Sequence, residues 1–343
     1  MFKISKIARA NEWWEYKLPP MLSMVYAVCL VEERDLFQLT SRICLLLLGI
    51  IVGAAYVSVI NDLTDLREDE ACGKQNRLSN LPPYLRLGIV ILLLAAGFLF
   101  AYLLLHDTLS VILYAGCWLS FSLYSIPPFR FKQRGFAGVL ADACGAHLLP
   151  TLFLLSAIWQ DLNLEINWFL FCTAGNWALM YGLRGILWHQ FYDRQNDLKI
   201  GVATYASKKD PSKFGSRSLF IFTIELISLT VILGYIFKPL PVLGLLVYFF
   251  MLAGYHKIFK RQIIAIVPPI EKQWHFAMNN YYQFLFPVAL LVSLALKFPQ
   301  SWVFVAAHFV LFPLIAKNTI IDCINFLKAA IRKLALSLKR ETA

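Results

Sequence analysis

The sequence has few charged residues for its length. Asp, Glu, Lys and Arg make up only 15% of its 343 residues, whereas a soluble domain contains about 25%. Hydrophobic residues make up 59%, and the mean hydropathy is +0.62. This scarcity of charge excludes a soluble enzyme, a disordered chain and a nucleic-acid-binding module. We interpret the chain as a multi-pass integral membrane protein.

The sequence also lacks paired cysteines and a recognisable leader peptide. Its seven cysteines include no C-x-x-C pair, so we expect no cysteine-based metal site and no disulfide framework. The N-terminal segment MFKISKIARANEWWEYK is basic and amphipathic, and no A-x-A-type cleavage site follows it. We expect residues 1–17 to form an amphipathic cytoplasmic segment.

Long apolar stretches fill most of the chain. A transmembrane helix needs about 20 mostly apolar residues, and a window of about 19 residues finds ten candidate stretches. They lie at 18–31, 43–60, 84–105, 109–125, 139–158, 167–188, 217–236, 239–256, 280–297 and 301–316. The first is short and the last contains Pro313, so we predict nine to ten helices, with ten preferred. The expected fold is an all-α integral membrane protein, built as a single domain over residues 1–343.

Basic residues are distributed unevenly along this pattern. Four of the 32 Lys and Arg residues fall on one side of the predicted spans, one falls inside a span and the other 27 fall on the opposite side. The basic side comprises the N-terminus, the loops near 62–83, 126–138, 189–216 and 257–279, and the tail at 318–343. Because cytoplasmic loops carry the excess of Lys and Arg, we place this side in the cytoplasm, beneath a bacterial inner membrane or an equivalent one. The net charge of +11 is then explained by topology, and no nucleic-acid partner is expected.

The second predicted span leads into a row of acidic side chains. Asn61, Asp65 and Asp69 are spaced i, i+4, i+8, so a continuing helix places them on one face, with Asp62 alongside. Like charges at this spacing repel each other, so the row is costly unless a cation neutralises it. Mg²⁺ is commonly held by one or two carboxylates together with substrate phosphates. The ordinary alternative for a single row is a solvated helix end.

A matching row follows four predicted helices later. His189, Asp193 and Asp197 are again spaced i, i+4, i+8, and they also emerge on the predicted cytoplasmic side. The recurrence suggests an internal structural repeat and weakens the explanation by solvation alone. Two facing rows could bind two metal ions that together clamp one diphosphate.

Cations occur near both rows. Lys74 and Arg77 follow the first row, and Arg130 and Lys132 follow the fourth span. Such side chains suit the recognition of phosphate oxygens, although each could equally reflect the general cytoplasmic excess of positive charge. Arg184 is different, because a charge within a span is costly and usually faces a cavity or a partner.

Three motifs follow one another along the chain. They are Asn-Asp-x-x-Asp-x-x-x-Asp at 61–69, Tyr-Ser-x-Pro-Pro-x-Arg-x-Lys at 124–132 and Asp-x-x-x-Asp-x-x-x-Gly-Val-x-Thr at 193–204. In order, spacing and membrane topology, they resemble the motifs of the UbiA superfamily of intramembrane prenyltransferases. The resemblance covers most of the chain and implies about nine helices around a central cavity, capped by cytoplasmic loops.

The resemblance also implies a chemistry, the Mg²⁺-dependent transfer of a prenyl group from a polyprenyl diphosphate with release of diphosphate. The implied metal ligands are Asn61, Asp62, Asp65, Asp69, Asp193 and Asp197. Four of these, together with Tyr124 beside the reacting carbon, are expected to be catalytic, namely Asp65, Asp69, Asp193 and Asp197. The implied diphosphate contacts are Lys132, Arg130, Arg77 and Lys74.

Several acceptors and one other function remain open. A lipophilic, aromatic acceptor is the leading hypothesis, and membrane lipids are expected as further partners. Transfer to a phosphoribosyl or glycerol-phosphate acceptor and terpene cyclisation are alternatives within the family. A cation-coupled transporter is the alternative from another class, but transporters place acidic groups near the bilayer midplane, whereas these rows lie at helix ends. The 257–279 loop has no role in this interpretation.

Overall fold

Helices account for nearly all of the secondary structure in this computed structural model, which describes residues 9–71, 73, 75–270 and 272–341. The first half contains α1 (Ala10–Val31), α2 (Thr40–Thr64), α3 (Leu66–Ala71), α4 (Pro83–Leu103), α5 (Thr108–Ser125), α6 (Phe136–Ala143) and α7 (Leu149–Asp161). The second half contains α8 (Trp168–Ile200), α9 (Gly215–Ile236), α10 (Pro239–Lys257), α11 (Phe286–Lys297), α12 (Trp302–Leu311) and α13 (Pro313–Glu341). The prediction of an all-α fold is confirmed.

Two π-helical turns and five 3₁₀ turns complete the helical structure of the described residues. The π turns lie at Cys144–Leu148, between α6 and α7, and at Tyr281–Leu285, before α11. The 3₁₀ turns lie at Leu36–Leu39, Phe131–Gln133, Ala206–Lys208, Pro211–Lys213 and Pro299–Ser301. Because each π turn runs directly into the following helix, α6 and α7 form one continuous apolar segment.

Fewer helices than predicted qualify as membrane spans. In the described part of the chain, six helical segments are long and apolar enough to cross a membrane, or seven if one bent pair counts as a span. The six are Leu36–Thr64, Pro83–Leu103, Thr108–Ser125, Phe136–Asp161, Gly215–Ile236 and Pro239–Lys257. The predicted number of nine to ten transmembrane helices is therefore not confirmed. The remaining apolar helices are shorter, or, like α1 and α8, combine apolar turns with charged ones.

The last predicted span departs furthest from its expected form. Helix α12 ends at Leu311, helix α13 begins at Pro313, and the two meet at an angle of 88°. A proline removes a backbone donor and clashes with the preceding turn, so a straight helix cannot pass through Pro313. The basic tail predicted at 318–343 instead continues as helix to Glu341.

Helix α1 occupies the centre of the bundle. Every residue from 18 to 30 is buried, and the helix packs against α7 and α11. A helix that is apolar on all sides is stable only where neighbours surround it. This central position explains why the short span predicted at 18–31 is a core element of the fold, although the helix begins at Ala10 and Pro19 and Pro20 lie inside it.

The 257–279 loop folds over the end of α8. Within it, β1 (Gln262–Ile264) pairs in parallel with β2 (Trp274–Phe276), so that Gln262 lies opposite Trp274. The ring centroids of Trp274 and Phe276 each lie 5.6 Å from that of Trp188 on α8. The loop therefore supports the turn of α8 that leads into the second acidic row.

A buried ion pair joins α8 to α9 and to this loop. The Arg184 guanidinium donates to both carboxylate oxygens of Glu225, at 2.6 and 3.0 Å, and neither side chain is exposed. It also donates to the carbonyl oxygen of Ala265 at 3.2 Å and lies 4.3 Å from the centre of the Phe276 ring. Arg184 therefore has the buried partner that a charge within an apolar helix requires.

We expect Glu225→Ala to lower the thermal stability of the purified protein in detergent. The substitution leaves the Arg184 guanidinium buried without its carboxylate, and breaking a buried pair in this way costs about 3–5 kcal/mol. Unfolding can be followed by the change in tryptophan fluorescence on heating. The double variant Arg184→Met with Glu225→Leu is the control, since it removes both charges and should recover most of the loss. A single variant as stable as the wild type would contradict this account of the pair.

Candidate functional site

The first acidic row follows an almost unbroken helical path. Helix α2 ends at Thr64, yet the Asp65 N–H donates to the Asn61 carbonyl at 3.0 Å and the Asp69 N–H donates to the Asp65 carbonyl at 2.8 Å. These i to i+4 bonds carry the helical spacing from α2 into α3. Asn61, Asp65 and Asp69 therefore follow one another along a single face, as their spacing predicts.

Two of the predicted cations lie directly against this row. Asp65 accepts hydrogen bonds from Arg130, at 2.9 Å, and from Lys132. Arg130 also donates to Glu68 at 2.8 Å. Burial lowers the pKa of the Lys132 ammonium, although Asp65 opposes the shift. The loop after α5 thus brings two positive charges to the carboxylates of the first row.

The opposite edge of the row has a second set of cations. Asp62 is largely buried, and its carboxylate lies 3.6 Å from Arg77 and 3.9 Å from Arg9. Arg77 also pairs with Glu12 of α1 at 2.9 Å. Arg77 is therefore placed beside the row, as predicted. Lys74, the remaining predicted diphosphate contact, lies outside the described residues.

Asn76 closes the loop that follows the first row, and the sequence analysis did not single it out. Its amide nitrogen donates to the Asp62 carbonyl oxygen at 2.7 Å and to the Asp69 carboxylate at 2.8 Å. Its amide oxygen accepts from the Leu78 N–H at 2.9 Å. One side chain therefore fixes both ends of the acidic row relative to the loop.

The second row lies on one continuous helix, α8. The His189 ring nitrogen Nδ1 lies 3.6 Å from the Asp193 carboxylate. Past the end of α8, Gly201 adopts a positive φ of 72°, which a residue without a side chain adopts at little cost. The chain then turns back, so that the Thr204 hydroxyl donates to the Asp197 carboxylate at 3.1 Å. The glycine and threonine of the third motif thus hold Asp197 in place.

The two rows converge at the end of α5. The Ser125 hydroxyl donates to the side-chain oxygen of Asn61, in the first row. The neighbouring Tyr124 interacts electrostatically with Asp65 of the first row and with Asp197 of the second. Carboxylates of both rows therefore act on one residue, Tyr124, while the facing of the two rows stays a prediction.

Asp142 and Lys17 also belong to this cluster, although the sequence analysis did not select them. Asp142, on α6, interacts electrostatically with Tyr124, with Lys17 of α1 and with His189 of the second row. A usable signal was present, because Asp142 is an acidic residue inside the apolar stretch 139–158. Ionisable residues in such stretches usually have a functional or structural partner.

A small apolar cavity of about 120 Å³ lies in the bundle near this cluster. Three of its lining residues, Ser58, Phe121 and Gly145, lie about one helical turn from Asp62, Tyr124 and Asp142 respectively. Its lining includes five aromatic side chains, Trp13, Tyr114, Trp118, Phe121 and Phe153. The cavity therefore lies about one helical turn away from these three polar residues.

Small residues make room for this cavity. Gly49, Gly53 and Ala54 line it from α2, and Gly145 and Ala146 line it from the π turn after α6. A Cβ atom added at Gly53 would lie 3.6 Å from the Trp118 indole nitrogen, which is an ordinary contact distance. A larger side chain at this position would occupy the cavity itself.

The donor atoms of the site suit Mg²⁺. Within the described residues, no three His, Cys, Asp or Glu side chains already form a metal-binding group. Mg²⁺ does not need such a group, because it usually takes one or two protein carboxylates and completes its shell with substrate phosphates and water. Asp65 and Asp69 on one side, and Asp193 and Asp197 on the other, supply oxygen ligands of this kind.

Comparison with known proteins agrees with this architecture. The profile of the UbiA prenyltransferase family matches residues 21–265. Three solved structures of a UbiA homolog from Archaeoglobus fulgidus have a similar fold at low sequence identity. The structure bound to GPP and Mg²⁺ is 16% identical, with a TM-score of 0.51, and the match covers 91% of this chain and 100% of that one.

The other two structures give nearly the same values. The structure bound to DMAPP and Mg²⁺ is 16% identical, with a TM-score of 0.52, and the match covers 91% of this chain and 99% of that one. A third structure of the homolog is 15% identical, with a TM-score of 0.50, and the match covers 90% of this chain and 98% of that one. Among curated proteins, no match was found.

We expect Asn76→Ala to loosen the loop after the first acidic row. The substitution removes three hydrogen bonds, each of which contributes about 0.5–1.5 kcal/mol, so the opening equilibrium should increase about tenfold or more. Limited proteolysis in detergent, with mapping of cleavage between residues 71 and 81, measures this opening. Gln75→Ala is the control, because Gln75 is exposed and adjacent. Equal cleavage rates for the two variants would contradict the anchoring role of Asn76.

Proposed function

Since the chain belongs to the UbiA prenyltransferase family, we propose that it transfers a prenyl group from a polyprenyl diphosphate to a lipophilic, aromatic acceptor. Diphosphate is the leaving group. The observation that carries this proposal is that Tyr124 interacts electrostatically with Asp65 of the first row and Asp197 of the second, about one helical turn from the lining of an apolar cavity. A diphosphate head needs the charged surroundings of the rows, and a prenyl chain needs the apolar cavity.

The acidic rows are proposed to hold the metal ions of the reaction. Asn61, Asp62, Asp65 and Asp69 would bind Mg²⁺ on one side, and Asp193 and Asp197 on the other. Bound Mg²⁺ supplies positive charge that stabilises the diphosphate as it leaves. The fold is shared with a homolog whose structures contain GPP or DMAPP together with Mg²⁺.

Cations of the chain are proposed to complete the diphosphate site. Arg130 and Lys132 lie within reach of Asp65, so they can contact phosphate oxygens that lie beside the same carboxylate. Arg77 stands at the other edge of the row, against Asp62. A guanidinium presents paired donors that match phosphate oxygens, whereas an ammonium acts as a compact charge. Lys74 is proposed to join them from outside the described residues.

Tyr124 and the cavity are proposed to hold the reacting carbon and the prenyl chain. Departure of diphosphate leaves an allylic carbon with developing positive charge, and aromatic faces stabilise a cation by about 0.5–2 kcal/mol each. The rings of Tyr114, Trp118 and Phe121 lie along the cavity, and Tyr124 follows Phe121 about one turn further along α5. An apolar lining also keeps water away from the reacting carbon.

The same surroundings favour an aromatic acceptor, because flat rings pack well against aromatic side chains. We also propose that the site faces the cytoplasm, since the loops around it carry most of the basic residues. Family membership favours this enzymatic function over cation transport, and so does the position of both rows at helix ends.

We expect the double variant Asp65→Ala with Asp193→Ala to lose diphosphate release by about 100-fold or more, as when an essential charge-stabilising group is removed. The loss follows because each acidic row would lack one central carboxylate. The measurement is release of diphosphate from labelled prenyl diphosphate by the purified protein, with and without Mg²⁺ and an aromatic acceptor. A prenylated, UV-absorbing product would identify the acceptor class.

The matched control is Glu70→Ala with Asp210→Ala. It removes two exposed carboxylates, Glu70 in α3, one residue beyond Asp69, and Asp210 in the loop after α8, and it should retain activity near that of the wild type. No release by the wild type, or equal release by the two double variants, would refute the proposed site.

We expect Gly53→Leu to shift activity toward shorter prenyl donors. The added side chain would fill part of the cavity next to Trp118, and overpacking a tight site costs about 1–3 kcal/mol. Competition between short and long prenyl diphosphates, analysed by mass spectrometry of the products, measures the shift. Gly53→Ala is the control, because its Cβ fits at contact distance. An unchanged product distribution for Gly53→Leu would show that the prenyl chain lies elsewhere.

A further inference from the structure

Helix α13 presents three different faces. One face packs on the bundle through Ile315, Thr319 and Phe326, which are buried. A second face is apolar and exposed, and consists of Ile320, Ile324, Leu327 and Ile331. The third face is mainly polar, with Asn318, Asn325, Lys328 and Arg332, and it also contains the exposed Leu314 and Ile321. Since an α-helix turns by about 100° per residue, these faces lie about 120° apart.

The helix lies across the ends of the bundle helices that surround the candidate site. It meets α12 at 88°. Near its start, the Ile315 N–H donates to the Glu15 carboxylate at 2.6 Å, one turn from Glu12, which pairs with Arg77. Further along, Asp322 accepts from the Tyr255 hydroxyl at 2.5 Å, close to the end of α10. Helix α13 is therefore on the side of the first acidic row.

A basic groove begins where α13 crosses α10. Gly254 lies so close to the Phe326 ring that a Cβ atom would overlap it, which allows the two helices to touch. The groove has a volume of about 740 Å³ and is lined by His256, Lys257, Lys260, Arg261, Gln262 and Lys272. Among the described residues, no carboxylate forms an ion pair with these four Lys and Arg side chains. Their charge is available to an anionic ligand.

We propose that α13 lies in the membrane–water interface and that this basic groove binds the phosphate groups of anionic lipids in the same leaflet. An interfacial helix needs one face for acyl chains and one for water, and α13 has both in addition to the face on the bundle. Basic residues near a membrane surface attract anionic lipid with about 1 kcal/mol each. The groove begins at His256, two residues beyond Gly254, where α10 packs on Phe326 of α13, so a lipid bound there has its headgroup near α13. This inference does not depend on the proposed chemistry.

The first test measures lipid retention by the full chain. The protein is extracted with detergent from nanodiscs of phosphatidylcholine with a minor fraction of phosphatidylglycerol. The lipids that remain bound to it are counted by mass spectrometry. The variant Lys260→Gln with Arg261→Gln and Lys272→Gln removes three groove charges. We expect this variant to retain at most about one third as much phosphatidylglycerol as the wild type, and the same amount of phosphatidylcholine.

The matched control is Lys208→Gln with Lys213→Gln and Arg217→Gln, which removes the same number and types of charge from exposed positions near the start of α9. It should retain phosphatidylglycerol like the wild type. Equal retention of phosphatidylglycerol by both triple variants would overturn the proposal that the groove binds anionic lipid. Displacement of the lipid by low millimolar inorganic phosphate would also overturn it, because the groove would then be a site for soluble phosphate.

The second test locates α13 relative to the bilayer. Single cysteines introduced as Ile324→Cys and Asn325→Cys are treated in nanodiscs with a water-soluble maleimide, and labelling is corrected for that of the wild type. We expect Asn325→Cys to react at least about five times faster, because an apolar face of an interfacial helix is covered by acyl chains. Equal reaction rates would place both faces in water and overturn the interfacial position.

Discussion

Repulsion between like charges at the ends of two helices is the constraint on which the site depends. Carboxylates spaced one turn apart destabilise a helix unless cations offset them. Here the loop after α5 brings Arg130 and Lys132 to Asp65, while Arg77 approaches Asp62 from the other edge. The loops around the site are therefore held by the charges that the rows present. A substrate diphosphate with its metal ions suits the same surroundings, since both signs of charge are already close together.

Charges inside the bundle also need partners, because water does not screen them there. Arg184 and Glu225 are both fully buried and satisfy each other with two hydrogen bonds. The third guanidinium nitrogen of Arg184, Nη1, donates to the Ala265 carbonyl oxygen, so the pair also holds the loop that contains β1 and β2. That loop packs its aromatic residues on Trp188, one residue before His189. The loop thus contacts both the buried ion pair and the turn of α8 that precedes the second acidic row.

The cavity depends on packing rather than charge. Glycine and alanine on α2 and on the π turn after α6 leave space that leucine or phenylalanine would fill, and aromatic rings from α5 and α7 form the facing wall. Gly97 provides the close packing behind Trp118, since a Cβ atom there would overlap the indole. Interiors pack densely, so an apolar space of this size beside an acidic cluster is a feature that this arrangement of small residues maintains.

The sequence by itself determined the fold class, the family and the acidic rows, because hydropathy and helical spacing are local properties. It also predicted that Arg130, Lys132 and Arg77 lie near the rows, since they occur in loops on the same side. The tertiary structure decided the rest. It placed Asp142 within electrostatic reach of Tyr124 and Lys17, paired Arg184 with Glu225, and left six or seven segments that qualify as spans among the described residues. It also turned the last predicted span through 88° at Pro313. These features depend on which helix faces meet, and contacts between residues far apart in the chain leave no periodic signal in the sequence.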